Sequence, residues 1–403
     1  MRPPLPRNQS NLLPVPTGDA LAHTLACAAM LREEIAKSNG WLSFARFMAL
    51  TLYAPGLGYY AAGARKFGAD GDFVTAPEIS PLFGQCLAKS IAEVLRETAG
   101  DVLELGPGSG KLACDILLAL DAIGTLPEKY YLLEVSADLR ERQQHAIAAL
   151  PAHLAQRAVW LDALPADFTG AMIANEVLDV IPVHLVTFSS GGIFERGVAV
   201  KEGAFTWQDV HTLPKELHAT VAQIKNEYLN GAPPEGSGGS GGYVTEVAPA
   251  VGALVTSLAQ SLKHGALIFI DYGFRGAEFY HPSRVTGTLM CHYRHYAHTD
   301  PFLYPGLQDI TAHVDFTSVA EAALAAGMQL AGYTTQGQFL VASGLTDLLA
   351  KADPRDAAPY LRLTNQVQRL VSPAEMGEFF KVIGFTRGDV SISALEKARP
   401  LPL

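Results

Sequence analysis

The sequence predicts an α/β fold, a mostly parallel sheet with helices on both faces. Two observations carry this reading. From residue 101 onward, short apolar runs alternate with stretches of helical spacing, the pattern of a parallel sheet covered on both sides. The first run, Asp101-Val-Leu-Glu-Leu, also leads through three alternate glycines into a helical stretch, as the first strand of an open α/β sheet does.

Taken in order, residues 1–17 contain five prolines and read as an arm. Asp19 is placed to cap a helix over 20–37, and a second helix fits 42–52. The aromatic, glycine-containing stretch 53–60 reads as turns, and a long apolar helix follows a loop at 81–97. The predicted strands are 101–105, 130–135, 158–161, 171–174 and 266–270, with a weaker one at 329–334. Helices fit 111–120, 136–150, 249–263 and 318–326. Two segments break the alternation. Residues 184–209 alternate like a β-hairpin around Ser189-Ser-Gly-Gly192 and lead to a flexible Gly/Ser linker at 233–242. Residues 274–315 form a long loop rich in His and Tyr. The tail after 338 reads as helical, with a last strand near 379–385. These features divide the chain into an N-terminal arm and helical cap region (1–98), a core (99–336) with insertions at 184–242 and 274–315, and a C-terminal helical tail (337–403).

Composition narrows the classes. With 49% hydrophobic and 17% charged residues over 403 positions, the chain has ample material for a core and is not largely disordered. The mean hydropathy of +0.15 raises the question of a membrane, but no apolar span of about 20 residues exists. Thirty Lys+Arg against forty Asp+Glu give a net charge of −10, which weighs against a nucleic-acid partner and is compatible with a basic one. Cys27, Cys86, Cys114 and Cys291 are scattered without a CxxC pair, so a reducing compartment is expected. The first 16 residues have no apolar signal core and are too Pro-rich for a transit helix; a cytoplasmic location is expected.

The sharpest motif is Asp101-Val-Leu-Glu-Leu-Gly-Pro-Gly-Ser-Gly-Lys111. Gly106, Gly108 and Gly110 let the backbone turn tightly and approach a ligand, with Glu104 just before them. The spacing is G-x-G-x-G, whereas a dinucleotide fingerprint requires G-x-G-x-x-G. Glu134, at the end of the second strand, is placed for a ribose diol of either NAD or S-adenosylmethionine. Asp162, past the third strand end, suits an adenine amine and tips the balance toward S-adenosylmethionine, although a strand-end cap explains it equally. The fourth strand ends in Asn175 and Glu176, followed by Asp179, which are placed at the reactive side of the cofactor as first-choice substrate groups. Upstream, Thr75, Glu78 and Ser80 lie in Gly71-Asp-Phe-Val-Thr-Ala-Pro-Glu-Ile-Ser80, expected to fold over the cofactor; Ser80 ahead of Pro81 also reads as a helix cap. Cys291-His292-Tyr-Arg-His295-Tyr-Ala-His298 matches no structural zinc spacing, so no metal is expected.

These blocks, with Ala174-Asn-Glu-Val-Leu-Asp-Val-Ile-Pro-Val-His184, Val244-Thr-Glu-Val-Ala-Pro249, Ile270-Asp-Tyr-Gly273 and Asp309-Ile-Thr-Ala-His-Val-Asp-Phe316, resemble the MidA family in order and across roughly residues 40–335. The resemblance implies a Rossmann-like class I methyltransferase with a mostly parallel seven-stranded sheet, an N-terminal helical region and an inserted β-hairpin. It implies S-adenosyl-L-methionine as cofactor and, as partner, a protein substrate presenting an arginine, a respiratory complex I subunit. The family's motif residues fall on Gly106, Gly108, Gly110 and Glu104, and on Asn175, Glu176, Asp179, Pro182, Val183 and His184. An arginine guanidinium (pKa above about 12) is a poor nucleophile, and forked carboxylates would orient it. Glu176 is the expected principal partner, with Asp179 and Glu246 as further acids. The resemblance also places Asp309, His313 and Asp315 in the substrate pocket, where turn and cap roles are the competing reading; an imidazole pKa near about 6.5 makes His313 a candidate base for the departing proton. Two alternatives stay open: an NAD-dependent oxidoreductase, and an assembly chaperone that binds the cofactor without turnover.

Overall fold

The computed structural model describes residues 13–61, 75–231 and 242–403. The proline arm up to residue 12, residues 71–74 and nearly all of the Gly/Ser linker lie outside the described residues. Numbered along the chain, the strands begin with β1 (Trp41–Ser43), β2 (Asp101–Leu105), β3 (Tyr130–Leu133), β4 (Ala158–Leu161) and β5 (Phe168–Asn175). Next come β6 (His184–Ser189), β7 (Gly192–Lys201), β8 (Ala204–Val210), β9 (Tyr243–Val247) and β10 (Leu262–Phe274). The last are β11 (Met290–Tyr293), β12 (Tyr296–His298), β13 (Asp309–Thr311), β14 (Val314–Asp315), β15 (Gln329–Thr335) and β16 (Phe380–Arg387).

The predicted runs assemble into the main sheet, ordered β15-β16-β10-β5-β2-β3-β4, with β14 beside the end of β10. Pairings among β4, β3, β2, β5 and β10 are parallel; β16 runs antiparallel to both its neighbours. Alternate side chains supply the two faces. Val102, Ala171, Ile173, Ile268 and Ile270 pack under the helices Pro81–Thr98 and Lys111–Ala122. Leu103, Leu105, Met172, Leu267 and Phe269 pack against the helices Pro249–Ser261 and Phe316–Ala325 on the other side. Each fully buried side chain of this size contributes about 1.5–3 kcal/mol, so the layers are fixed by many such contacts. After β4 the chain returns to the other side of β2, so the order reverses between β2 and β5. That reversal opens a crevice at their carboxyl ends.

Three expectations are corrected. The segment 184–209 is a three-stranded meander rather than a hairpin, because Glu202 (φ 53°) and Gly203 (φ 80°) make a second tight turn. With β1 and β9 it forms a separate five-stranded sheet. The long His/Tyr loop contains a three-stranded sheet of β11, β12 and β13, turned by Arg294 (φ 48°) and His295 (φ 65°). The last strand expected near 379–385 is present as β16, inserted between β10 and β15. The second helix also starts late, at Phe44, because residues 41–43 pair with β7 and Ser43 accepts from the Arg46 amide.

Candidate active site

A cavity of about 500 Å³ opens at the reversal between β2 and β5. Its floor is the glycine turn. Gly106, Gly108 and Gly110 hold φ of +56°, +54° and +82°, the left-handed region that favours glycine. A Cβ on Gly106 would stand 2.9 Å from a Val177 methyl, and one on Gly110 3.1 Å from the Gln143 Cα. Gln143 ties the floor together: its Nε2 donates to the Gly108 carbonyl at 2.9 Å and to a Glu134 carboxyl oxygen at 3.0 Å. The other Glu134 oxygen accepts from the Ser136 amide at 2.8 Å, which fixes the carboxylate at the end of β3. Glu104 is buried under the turn, where Tyr130 donates to it at 2.6 Å, and burial pushes its pKa up to about 7.

The opposite wall is acidic. Glu176 sits directly after β5 with φ 53°, a conformation disfavoured without glycine. Its amide is fixed by the Ile270 carbonyl at 2.9 Å, and its carboxyl oxygen accepts from Asn175 Nδ2 at 3.1 Å and the Ala76 amide at 3.4 Å. Burial, reinforced by Asp179, pushes Glu176 up to about 8. Burial likewise raises Asp179 to about 6, against a stabilising hydrogen bond from Tyr272. Among the described residues, no Lys, Arg or His offsets the burial of either carboxyl group. Behind them, Asp271 accepts from the amides of Leu178 (2.9 Å) and Tyr272 (2.9 Å), locking the turn after β5 to β10.

Aromatic groups close the chamber. Tyr53 and Tyr60 stack with ring centroids 5.6 Å apart and planes 18° from parallel. Tyr53 donates to the Val180 carbonyl at 2.9 Å, and Tyr60 to Asp309 Oδ1 at 3.1 Å. Tyr272, His292, Asp309 and Thr311 complete this end.

Most of the residues singled out in the sequence meet here. Thr75, Glu78, Glu104, Gly106, Gly108 and Glu134 line the cavity, as do Asn175, Glu176, Asp179 and Asp309. Gly110 starts the helix beneath it. Others lie elsewhere. Asp162, in the loop after β4, is 90% exposed and pairs with Arg140 at 2.9 Å; it does not line the cavity. His313 also lies outside the lining, its ring packed against Tyr272 (5.1 Å) and Phe274 (5.2 Å). Burial and the nearby Arg284 and Lys381 charges lower it to about 4. Asp315 caps the helix Phe316–Ala325, and Ser80 caps Pro81–Thr98. Glu246 belongs to β9 of the second sheet, where its Oε1 accepts from the Thr288 (2.7 Å) and Leu289 (2.9 Å) amides. His184 pairs with the buried Glu195 at 2.7 Å. Sequence reasoning gave no role to Tyr53, Tyr60, Tyr272 or His292. The signal for the first two was the aromatic cluster flanking Ala54-Pro-Gly-Leu-Gly58. Among the described residues, no three His, Cys, Asp or Glu side chains converge as a metal site, and no helix is long and apolar enough to cross a membrane.

The family model described as "Putative S-adenosyl-L-methionine-dependent methyltransferase" matches residues 86–334. The zebrafish (Danio rerio) protein arginine methyltransferase NDUFAF7, mitochondrial, is 30% identical over 391 residues, covering 87% of this chain and 85% of the relative. The human protein of that name is 28% identical, covering 85% and 80%. A crystal structure from Burkholderia thailandensis, bound to S-adenosyl-homocysteine, is 48% identical and superposes with a TM-score of 0.89, covering 96% of this chain and 98% of that one. The glycine turn over an acidic chamber thus occurs within a matched region longer than half the chain, and the chain belongs to this family of S-adenosyl-L-methionine-dependent methyltransferases.

Proposed function

We propose that the chain methylates an arginine side chain of a protein substrate, with a respiratory complex I subunit as the partner implied by the MidA resemblance. One observation carries the reading: Glu176 and Asp179 are buried, with no cation beside them among the described residues, in the same cavity as the glycine turn. Buried carboxyl groups in that state favour a cationic guest, because its charge replaces what burial removed.

The chain's residues fit the cofactor. A Cβ at Gly106 would meet Val177 at 2.9 Å and one at Gly110 would crowd Gln143, Glu134 stands fixed at the end of β3, and the buried Asn175 Oδ1 lacks a partner. Gly106 and Gly108 would hold it by backbone approach, Glu134 through its ribose, and Asn175, Glu104 and Thr75 as further contacts. When bound, S-adenosylmethionine supplies an electrophilic methyl group on a sulfonium. What remains for the protein is to place a nitrogen in line with that methyl and to exclude water. Glu176 accepts a forked pair of N–H bonds from the guanidinium, with Asp179 beside it, and localises positive charge away from the attacking nitrogen. Below about pH 8, Glu176 gives up its proton as the cation arrives. Tyr53 and Tyr60, from the region 1–98, roof the chamber; the additions to the core thereby shape a site for a protein-borne side chain.

Incubation with radiolabelled S-adenosylmethionine and a lysate of the chain's own organism, followed by mass spectrometry of the labelled protein, tests this. Methylarginine is the expected product. Label on another residue type ends the arginine reading. No label with intact cofactor binding favours a chaperone.

A further inference from the structure

Methyl transfer to a cationic nitrogen must shed a proton, and this inference rests on the acceptor reading above. The bond from sulfonium sulfur to methyl breaks, with its electron pair left on sulfur. A nitrogen lone pair forms the new C–N bond, and one N–H proton leaves. The methylated guanidinium is still a cation, so the carboxylates forked to it must stay ionised to hold it. A proton delivered to Glu176 or Asp179 would dissolve the pairing that orients the acceptor. The proton needs a base that is not a guanidinium partner.

The lining of the cavity includes one imidazole, His292. It lies on β11 directly opposite Asp309 on β13, and directly opposed residues of an antiparallel pair project from the same face with Cβ atoms about 5 Å apart. Both line the cavity, as does Thr311 two residues along the same face. Asp309 is held in turn by the Tyr60 hydroxyl. Burial and the neighbouring His298 lower His292 to about 4, so the ring meets substrate neutral, the form in which one imidazole nitrogen can accept a proton. The charged and titratable groups around it are Asp309, Tyr60, Glu176 and Asp179 from the cavity and His298 from its own small sheet. His313, the base expected from the sequence, faces none of this chamber.

We propose that His292 is the base that takes the proton from the substrate nitrogen, while Asp309 across the ladder stabilises the imidazolium that forms. The geometry is an imidazole and a carboxylate set opposite each other on two strands of the 274–315 insertion, both lining the chamber. The division of labour is clear: Glu176 and Asp179 hold the cation, and His292 removes the proton.

The full chain and its His292→Ala and His292→Gln variants are incubated with S-[methyl-³H]adenosylmethionine at saturating concentration. The acceptor is a lysate from cells of its organism with the gene disrupted. The expected result is an initial rate about 100-fold lower in both variants, with S-adenosylhomocysteine affinity by calorimetry within about threefold of the parent. Added imidazole restores part of the rate in His292→Ala and imposes its own pH dependence. Rates near the parent value in His292→Ala overturn the proposal. So does recovery in His292→Gln, which would mean that the ring only fills space, or a loss that imidazole does not relieve. The residue type that the parent labels decides the arginine reading separately. Label on lysine would end that reading and leave the His292 comparison intact, since an ammonium acceptor sheds a proton too.

Discussion

The Tyr60 hydroxyl donates to the Asp309 carboxylate at 3.1 Å across 249 positions of sequence. This bond ties the N-terminal helical region to the small sheet of the 274–315 insertion, and it does so at the edge of the cavity. Tyr60→Phe keeps the ring stacked on Tyr53 and removes only the donor. A hydrogen bond to a charged group is worth about 1.5–3 kcal/mol. The expected outcome is a Tm lowered by a few degrees and a methyl-transfer rate reduced about 10-fold, with cofactor affinity little changed. Differential scanning fluorimetry, a transfer assay and calorimetry check the three parts.

The glycine floor gives a paired prediction. At Gly106, a methyl group meets both a left-handed backbone and Val177 at 2.9 Å. At Gly124, the backbone is equally left-handed (φ +67°), but nothing lies within 4 Å. Both Gly→Ala changes cost about 1 kcal/mol through the backbone. Only Gly106→Ala should weaken S-adenosylhomocysteine binding, by about 10-fold or more, because only there must the cradle shift. Isothermal titration of the two variants side by side is the measurement.

Glu176 makes stability depend on pH in an uncommon direction. Its folded pKa of about 8 lies above the unfolded value near 4.5. Between these values the folded state holds a proton that the unfolded state has lost, so stability falls as pH rises through the window. Below pH 4.5 both states are protonated, and the penalty vanishes. Glu176→Gln removes it. The variant should match the parent in Tm near pH 5 and exceed it by at least about 2 °C at pH 9. Its methyl-transfer rate should nevertheless fall at least about 100-fold with S-adenosylhomocysteine affinity retained. Thermal melts across that pH range and single-turnover transfer separate the two effects; a melt difference independent of pH would refute the buried-proton account.

Asp162 offers the opposite kind of test. It is 90% exposed and paired with Arg140, and exposed pairs of this kind contribute about 0–1 kcal/mol. Asp162→Ala should leave S-adenosylhomocysteine affinity within about threefold of the parent. Glu134→Gln, which alters the fixed carboxylate at the end of β3, should lower it at least about 10-fold. Equal losses in both would return Asp162 to the cofactor site.

The parts of this molecule legible in its sequence are those whose physics is local. A strand buried on both faces must be an apolar run, and a turn that approaches a ligand must be glycine. β2 to β5, Gly106 and Glu176 could therefore be placed from neighbouring letters. The second sheet could not, because β1, the meander and β9 come from three separate stretches. The β11–β12 turn of the small sheet also lacks the usual advertisement, since Arg294 and His295 adopt positive φ without being glycine or asparagine. Site residues followed the same division. Asn175 and Glu176 adjoin a predicted strand end, whereas Tyr53, Tyr60 and His292 reach the chamber only through contacts spanning the chain. Asp162 shows the limit of strand-end reasoning: the loop past β4 turned it from the cavity to the solvent.

The position of β16 bears on how the chain is made. β10 is 13 residues long, and one of its edges is paired from Gly265↔Arg387 to Tyr272↔Phe380. A ribosome delivers β10 well before it delivers β16, so for that interval the longest strand of the sheet presents an open, apolar edge to the cell. β15 cannot cover it early, because β15 joins the sheet through β16. A nascent chain of this protein therefore stays vulnerable to wrong pairing until β16 emerges. Cutting off the tail would make that transient exposure permanent.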